Sequence, residues 1–259
     1  MSVRTSYAQG TPCWIDLSTG DRRTAMDFYH AVLGWDYEVG SPETGYYTQA
    51  LVDGKPVAAI YEPPPEQPMP TAWMTYLATD DATATARAIP EAGGQLVMDA
   101  MNVMEFGRMV LAVDPSGATF GAWQAGTHIG MQVVNQPGAV VWNELASRNA
   151  AAARRFYSQV FGVGIEPPMS DLFDYTTFRV ADRDVGGIMT MDAGWPADLP
   201  SHWQVYFGVR DTDVAVRVLV GRGGTTLAGP QDSPYGRMAV CSDPEGALFS
   251  LIAPPPEGW

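Results

Sequence analysis

Two acidic residues occupy equivalent positions in the chain and could take part in chemistry. Asp16 follows Trp14 by two residues in the segment WID, and Glu144 follows Trp142 by two residues in WNE. Alternate side chains of a strand share a face, so each carboxylate is expected to lie beside an indole. Burial on such a face raises the pKa of a carboxylate unless it is paired or hydrated. Asp16 and Glu144 are therefore candidates for a general base, or for an acceptor of a ligand's hydroxyl or amine. A structural carboxylate bonded to a backbone or indole N–H would fit the same pattern, and the recurrence in both halves favours that interpretation.

The recurrence extends over the whole chain. Three blocks repeat in the same order at separations of 128 to 130 residues. The matched blocks are 13–38 with 141–166, 71–81 with 201–211, and 107–124 with 236–253. Repeats at a constant separation indicate a duplicated structural unit. The sequence therefore predicts two tandem domains, 1–126 and 127–259, joined through residues 126–137.

The elements that position these residues follow the same order in each half. A short alternating strand begins near Cys13, and a helix is predicted over Arg22–Leu33. Ala25, Phe28, Tyr29 and Val32 would form its buried face, and Gly34 would end it. Further strands follow, then a proline-rich linker, and then a second round of strand, helix and strands. Each half therefore contains two βαβββ units, which makes the protein an α+β protein.

Two motifs resemble those of a known family. FYHAVLGW is followed by DPSGA in the first half, and FYSQVFGV is followed by DPEGA in the second. This pattern resembles the vicinal oxygen chelate superfamily, which includes glyoxalases, bleomycin-resistance proteins and extradiol dioxygenases. The resemblance implies four βαβββ modules arranged as two tandem glyoxalase-like domains. It also implies that each domain is a cup-shaped, half-open barrel that holds a substrate.

The same resemblance implies a divalent metal at the floor of the cup, but the side chains do not suit one. The family's ligand positions fall on Trp14, Trp73 and Gly121 in the first half, and on Trp142, Trp203 and Ser250 in the second. Indole nitrogen has no free lone pair, and glycine has no side chain. The three histidines, His30, His128 and His202, are scattered along the chain. We therefore expect no family-type metal site and no cofactor.

Strand alternation predicts which residues line the two cups. The set expected in the first cup is Trp14, Asp16, Ser18, Trp73, Thr75, Leu77, Thr119, Gly121 and Trp123. The set expected in the second is Trp142, Glu144, Trp203, Val205, Phe207, Leu248, Ser250 and Ile252, which looks better filled by its own side chains. Several indoles converge beside Gly121, which leaves room because it has no side chain, and this favours a flat, stacking ligand in the first cup. Core packing is the alternative for the tryptophans, because aromatic residues form much of any core.

The composition of the chain limits the classes of molecule that it is expected to bind. The chain has 15 basic and 29 acidic residues and a formal net charge of −14, which disfavours nucleic acid and anionic membranes as partners. The N-terminus has no apolar signal-type segment, and Cys13 and Cys241 are far apart in sequence, without metal-site spacing. We expect a cytoplasmic monomer or homodimer with buried thiols.

Two classes of function remain open. In the first, the protein binds a small, aromatic metabolite or antibiotic without a metal, for resistance, sequestration or transport. In the second, it is a metal-independent isomerase, lyase or cyclase of natural-product metabolism, with Asp16 or Glu144 as acid or base. A glutathione-dependent glyoxalase is disfavoured because its chemistry needs the metal.

Overall fold

Two eight-stranded mixed sheets carry the two halves of the repeat. The computed structural model describes residues 2–167 and 174–255. The elements of the first half are β1 (Ser2–Val3), β2 (Pro12–Ser18), α1 (Arg22–Leu33), β3 (Asp36–Val39), a 3-10 turn (Pro42–Thr44), β4 (Thr48–Val52), β5 (Lys55–Tyr61), β6 (Ala72–Ala78), α2 (Ala82–Glu91), β7 (Gln95–Val103), β8 (Gly107–Val113) and β9 (Thr119–Ala125). Those of the second half are β10 (Val133–Val134), β11 (Val140–Ser147), α3 (Ala150–Phe161), β12 (Gly164–Ile165), β13 (Tyr175–Val180), β14 (Arg183–Thr190), β15 (His202–Gly208), α4 (Thr212–Gly221), β16 (Thr225–Ser233), β17 (Gly236–Ser242) and β18 (Leu248–Ala253).

Strand order confirms the four predicted βαβββ modules. The first sheet runs β3-β4-β5-β2-β6-β9-β8-β7, and the second runs β12-β13-β14-β11-β15-β18-β17-β16. Within each module the first strand pairs in parallel with the last, as β2 does with β5 and β6 with β9. The two modules of a sheet join through an antiparallel pair, β2 with β6 or β11 with β15. The sheets do not close into barrels, and the predicted α+β fold of four βαβββ modules in two tandem domains is confirmed.

The helix α1 shows why the local sequence folds as predicted. The side chain of Asp21 accepts hydrogen bonds from the backbone N–H groups of Arg23 and Thr24, which caps the first turn. Gly34 ends the helix at φ 75°, in the left-handed region that glycine adopts without strain. Asn149 and Gly162 cap α3 in the same way.

The helices of the two domains pack against each other. α1 contacts α4, and α2 contacts α3, so the helix layer lies at the interface between the two domains. Phe28 of α1 meets Phe249 of the second sheet edge to face, at 6.4 Å between ring centroids. Each sheet therefore has one face toward the helix layer and one face free of helices. We call the helix-free faces of the first and second sheets the first cup and the second cup.

Short segments tie the domains together at their ends. β1 pairs with β10, which belongs to the connector after β9. The strands of the first sheet lie within residues 12–125 and those of the second within 140–253. The division of the chain at 126/127 stays a prediction. Among the helices of the described residues, none is long and apolar enough to cross a membrane.

Candidate functional site

The pairing of β2 with β6 decides which side chains enter the first cup. Trp14 lies opposite Tyr76, and Asp16 lies opposite Met74. On the other face, Ile15 is paired with Thr75 and Leu17 with Trp73. Directly opposed residues of an antiparallel pair share a face. Trp14, Asp16, Met74 and Tyr76 therefore line the cup, and the residues between them face the helix layer.

Three predicted cup residues lie on the wrong face for that role. The indole Nε1 of Trp73 donates to Tyr29 Oη of α1 at 3.0 Å, and Trp203 Nε1 donates to Tyr157 Oη of α3 at 3.0 Å. Thr75 Oγ1 hydrogen bonds to Asn143 Oδ1 of the second domain at 3.2 Å. The prediction that Trp73, Thr75 and Trp203 line the cups is wrong.

Leu77, also expected in the first cup, shares the helix-side face of β6 with Trp73 and Thr75 and is buried. Val205 and Phe207, expected in the second cup, share the helix-side face of β15 with Trp203 and are fully buried. All of these errors have one cause, the assumption that Trp73 of β6 and Trp203 of β15 face the cup. A shift of one residue exchanges the faces of a whole strand.

Asp16 lies at the centre of a hydrogen-bonded aromatic cluster in the first cup. Its Oδ2 accepts hydrogen bonds from Tyr47 Oη at 3.0 Å and Tyr76 Oη at 3.1 Å. The indole of Trp14 donates in turn to Tyr47 Oη at 2.8 Å. Tyr47 lies beyond β5, where the residue paired with Asp16 is the small Ala59. These four side chains, Trp14, Asp16, Tyr47 and Tyr76, form what we call the first carboxylate cluster.

One oxygen of Asp16 is left without a partner. The residue is only 4% exposed, and its Oδ1 is buried with no hydrogen bond from the protein. Burial raises the pKa of this carboxyl to about 7, although the hydrogen bonds from Tyr47 and Tyr76 act in the opposite direction. Asp16 can therefore exist in both protonation states near neutral pH.

The second cup contains a copy of this cluster. Trp142 Nε1 donates to Tyr175 Oη at 2.8 Å, and Tyr206 Oη donates to Glu144 Oε1 at 3.2 Å. Burial raises the pKa of Glu144 to about 7, against hydrogen bonds from Tyr206 and Tyr175. Unlike Asp16, Glu144 has no oxygen among the buried, unpartnered atoms of the described residues. The duplicated carboxylates are thus alike in position but differ in how completely they are satisfied.

The tyrosines of both clusters were not among the predicted site residues. Tyr47 and Tyr175 are separated by 128 residues, as are Trp14 and Trp142, so the repeat itself carried the signal. Tyr76 and Tyr206 each lie three residues after the repeated tryptophan of β6 or β15. If the alternation of β6 and β15 is started one residue after the tryptophan, Tyr76 and Tyr206 fall on the same face as the repeated carboxylates. The two phenols could have been found in this way.

Gly121 makes room for a side chain of the protein rather than for a ligand. A Cβ added at this position would lie 2.1 Å from Cδ1 of Tyr76, whose ring therefore covers the glycine. The expectation that Gly121 leaves space beside the indoles is wrong in this respect. Ser250, its counterpart in the second cup, is fully buried, and its Oγ accepts a hydrogen bond from Gln204 Nε2 at 3.0 Å.

The remaining predicted residues of the first cup occupy its floor and rim. Thr119 shares the face of Gly121 and is exposed at the start of β9. Trp123 is buried and donates through Nε1 to the backbone oxygen of His128 at 2.8 Å. The ring of His128 meets Trp14 edge to face at 4.4 Å, and burial lowers the pKa of this imidazole to about 4. The His128 ring is therefore uncharged at pH 7 and contributes an aromatic surface beside Trp14.

Methionines extend the apolar surface beyond Trp123. Met109 lies opposite Trp123, and Met101 lies opposite Met109 on the next strand. Met98 lies opposite Leu111 on the same face, and Met101 is 43% exposed. Methionine side chains are flexible and polarisable and adapt to irregular apolar partners. The first cup therefore combines a carboxylate, phenols and indoles with an adaptable apolar rim.

The donor set of the cup does not fit the metal implied by the resemblance. The nearest polar atoms to Asp16 are phenol oxygens, and the indole nitrogen of Trp14 is a donor only. Across residues 2–167 and 174–255, no three His, Cys, Asp or Glu side chains converge in a way that could hold a metal ion. Imidazoles and carboxylates, which divalent metals prefer, are not brought together here.

Comparison with known proteins defines the class. The family model described as the Glyoxalase/Bleomycin resistance protein/Dioxygenase superfamily matches residues 13–121, and a model described as a glyoxalase-like domain matches residues 140–252. The chain therefore belongs to the glyoxalase/bleomycin resistance/dioxygenase superfamily and carries two tandem copies of its domain.

Particular relatives match along nearly the whole chain. The protein of Mycobacterium tuberculosis named "Putative glyoxylase CFP32" is 40% identical over 99% of this chain and 100% of its own. The anthracycline biosynthesis protein DnrV of Streptomyces peucetius is 38% identical over 96% of this chain and 94% of its own. The Mn(II)-bound glyoxalase of Novosphingobium aromaticivorans superposes with a TM-score of 0.66 at 15% identity, covering 95% of this chain and 83% of its own. At that identity, the last likeness shows the fold alone.

Proposed function

We propose that the protein binds a small, flat aromatic compound in the first cup without a metal ion. The observation that carries this proposal is the buried, unpartnered Oδ1 of Asp16 among aromatic side chains. A buried acceptor without a partner costs about 1–3 kcal/mol, which a ligand that donates a hydrogen bond would recover. The second cup lacks this feature, because both Glu144 and Ser250 find partners within the protein.

The ligand class follows from the walls of the cup and from the relatives. Indole and phenol rings offer faces for stacking, and the methionines around Met101 offer an adaptable apolar rim. DnrV of Streptomyces peucetius is named for anthracycline biosynthesis. A polyketide-like aromatic compound with phenolic O–H groups suits both observations. Such a ligand would be an antibiotic or other secondary metabolite. By binding it in the cytoplasm, the protein would carry it, sequester it or give the cell resistance to it.

Acid–base catalysis is the second candidate function. The pKa of Asp16 near 7 makes this carboxyl both a competent acid and a competent base at neutral pH. Its free Oδ1 is the atom from which a proton would leave or to which it would move. An isomerase, lyase or cyclase of natural-product metabolism would use the group in this way, with no metal needed to polarise the substrate.

Titration with a dihydroxyanthraquinone tests the binding proposal. This probe is flat and aromatic, and its phenolic groups can donate to Asp16. We expect Asp16→Asn to weaken binding about 10- to 100-fold, because it removes the charge and places an amide donor where an acceptor is needed. Glu144→Gln is the matched control and should leave the affinity unchanged.

The outcome also separates the two functions. If the protein turns over the compound, Asp16→Asn should lower kcat on the order of 100-fold or more and leave binding nearly intact. Equal losses of affinity in Asp16→Asn and Glu144→Gln would contradict the choice of the first cup. Unchanged binding and turnover in Asp16→Asn would show that the carboxylate is structural.

A further inference from the structure

A cavity lies at the boundary between the two domains, apart from the first carboxylate cluster. Its volume is about 290 Å³. Arg4, Tyr7 and Pro12 line it from the N-terminal side, and Val140, Trp142 and Arg183 line it from the second domain. This volume is close to the lower limit of about 300 Å³ for ligand sites, which points to a small ligand.

The N-terminal segment is held in place along this cavity by backbone hydrogen bonds. β1 pairs with β10, and the backbone N–H of Arg4 donates to the oxygen of Gln132 at 2.9 Å. Tyr7 Oη donates to the backbone oxygen of Met131 at 2.8 Å. These bonds fix the backbone at Arg4 beside the cavity.

Arg4, which lines this cavity, carries an unsatisfied donor. Its Nε is buried and has no hydrogen-bond partner. A guanidinium is a cation, so the N–H that lacks a partner belongs to a charged group. A charged donor buried without a partner is costly, and an anion that accepts its hydrogen bond would remove this cost.

The other charges around the cavity also favour an anion. Arg183 is a second cation in the lining, and Asp184 is the one acidic residue among the lining side chains. Asp184 Oδ1 accepts from Thr177 Oγ1 at 3.1 Å and lies 3.7 Å from Arg179 Nη1, so its charge is already engaged. On a chain with a formal net charge of −14, a cavity with two arginines is a local exception.

The rest of the lining is suited to an aromatic ring. Val140 is 3% exposed, and Pro12 and Met131 add apolar surface. Trp142 uses its Nε1 to bind Tyr175, which leaves the ring rather than the N–H to meet a ligand. We infer that this cavity binds a small aromatic carboxylate, with the carboxylate on the Arg4 guanidinium and the ring against Trp142 and Val140.

Binding of 2-naphthoate to the full chain tests the inference, with its uncharged analogue 2-naphthamide as a probe control. Calorimetry should show naphthoate binding that Arg4→Met weakens about 10- to 100-fold, because a charged hydrogen bond is lost while the length of the side chain is kept. Naphthamide should bind more weakly than naphthoate to the wild type and should be insensitive to Arg4→Met. Arg23→Gln removes an exposed arginine of α1 and controls for net charge.

A second variant keeps the test decisive if Arg4→Met does not fold. Ala8 is exposed and lines the cavity, so Ala8→Trp should obstruct it and weaken naphthoate binding with Arg4 intact. Asp16→Asn should leave naphthoate binding unchanged, which separates this site from the first cup. Equal naphthoate affinity in the wild type, Arg4→Met and Ala8→Trp, or a loss of affinity in Asp16→Asn, would overturn the assignment.

Discussion

Tyr29 of the first domain donates a 3.1 Å hydrogen bond to Oδ2 of Asp243 in the second domain. The reverse contact exists as well, since Tyr157 of the second domain donates to Asp114 Oδ2 of the first at 3.0 Å. The tyrosine of each FY motif therefore binds the aspartate of the other domain's DPxG motif. The two motifs that define the repeat are, in part, the two sides of the domain interface.

Removal of one of these phenols should destabilise the protein. Tyr29→Phe leaves both Trp73 Nε1 and Asp243 Oδ2 without their shared partner in a buried site. We expect a loss of about 1–3 kcal/mol in the free energy of unfolding, measured by urea denaturation. Tyr46→Phe, at an exposed position, is the control and should change it little. A neutral Tyr29→Phe would show that the cross-domain hydrogen bond contributes nothing.

The domain plan was predictable from the sequence because each signal was local or repeated. The spacing of Phe28 and Tyr29 and the position of Gly34 determine α1, and the observed helix spans the predicted Arg22–Leu33. What the sequence could not provide was the pairing of the helices across domains. A DPxG sequence is typical of a turn, and Asp243 does accept from the backbone N–H of Ala247 at 2.9 Å, but its second oxygen accepts from Tyr29.

The candidate site was only partly predictable, because the register between neighbouring strands decides which side chains share a face. Asp16 and Trp14 were identified because the face of β2 follows directly from alternation within one strand. The face of β6 depends on which residue pairs with Trp14, and that partner is Tyr76. A single sequence contains no direct information on cross-strand pairing, so Trp73 was assigned to the wrong face.

Gly121→Ala should disturb the first carboxylate cluster by displacing Tyr76, whose ring lies against Gly121. The added Cβ would lie 2.1 Å from the ring of Tyr76, which has to move away from its position over the strand. We expect a loss of about 1–3 kcal/mol in the free energy of unfolding. Gly221→Ala provides the control, because nothing lies within 4 Å of the added Cβ. Unchanged stability in Gly121→Ala would mean that Tyr76 shifts without cost and that its bond to Asp16 is unimportant.

Chelation should have no effect on a protein that works without a metal ion. The cup offers Asp16 with phenol and indole groups, and we expect neither the melting temperature nor the affinity for a dihydroxyanthraquinone to change after treatment with EDTA. Elemental analysis of the purified protein should find no stoichiometric transition metal. A metal at one equivalent that is lost in Asp16→Asn would contradict the proposed metal independence.

The pKa of Asp16 makes the stability of the protein depend on pH in a defined direction. Burial raises this pKa from 3.8 to about 7 in the folded state, so between these values the native state binds a proton that the unfolded state has released. Stability therefore falls as the pH rises through this window, and above about pH 7 both states are ionised and the loss is complete. Asp16→Asn removes the titration, while its amide oxygen can still accept from Tyr47 and Tyr76.

Urea denaturation at pH 5, 6, 7 and 8 should thus show Asp16→Asn gaining stability relative to the wild type up to about pH 7. Each pH unit within the window corresponds to about 1.4 kcal/mol, so the total gain is on the order of a few kcal/mol. The difference should then level off, because the wild type no longer changes its protonation. Asp80→Asn, at an exposed aspartate, should follow the wild type at every pH. A difference between Asp16→Asn and the wild type that is constant from pH 5 to pH 8 would mean that Asp16 is already ionised in this range, and the acid–base role would then lose its physical basis.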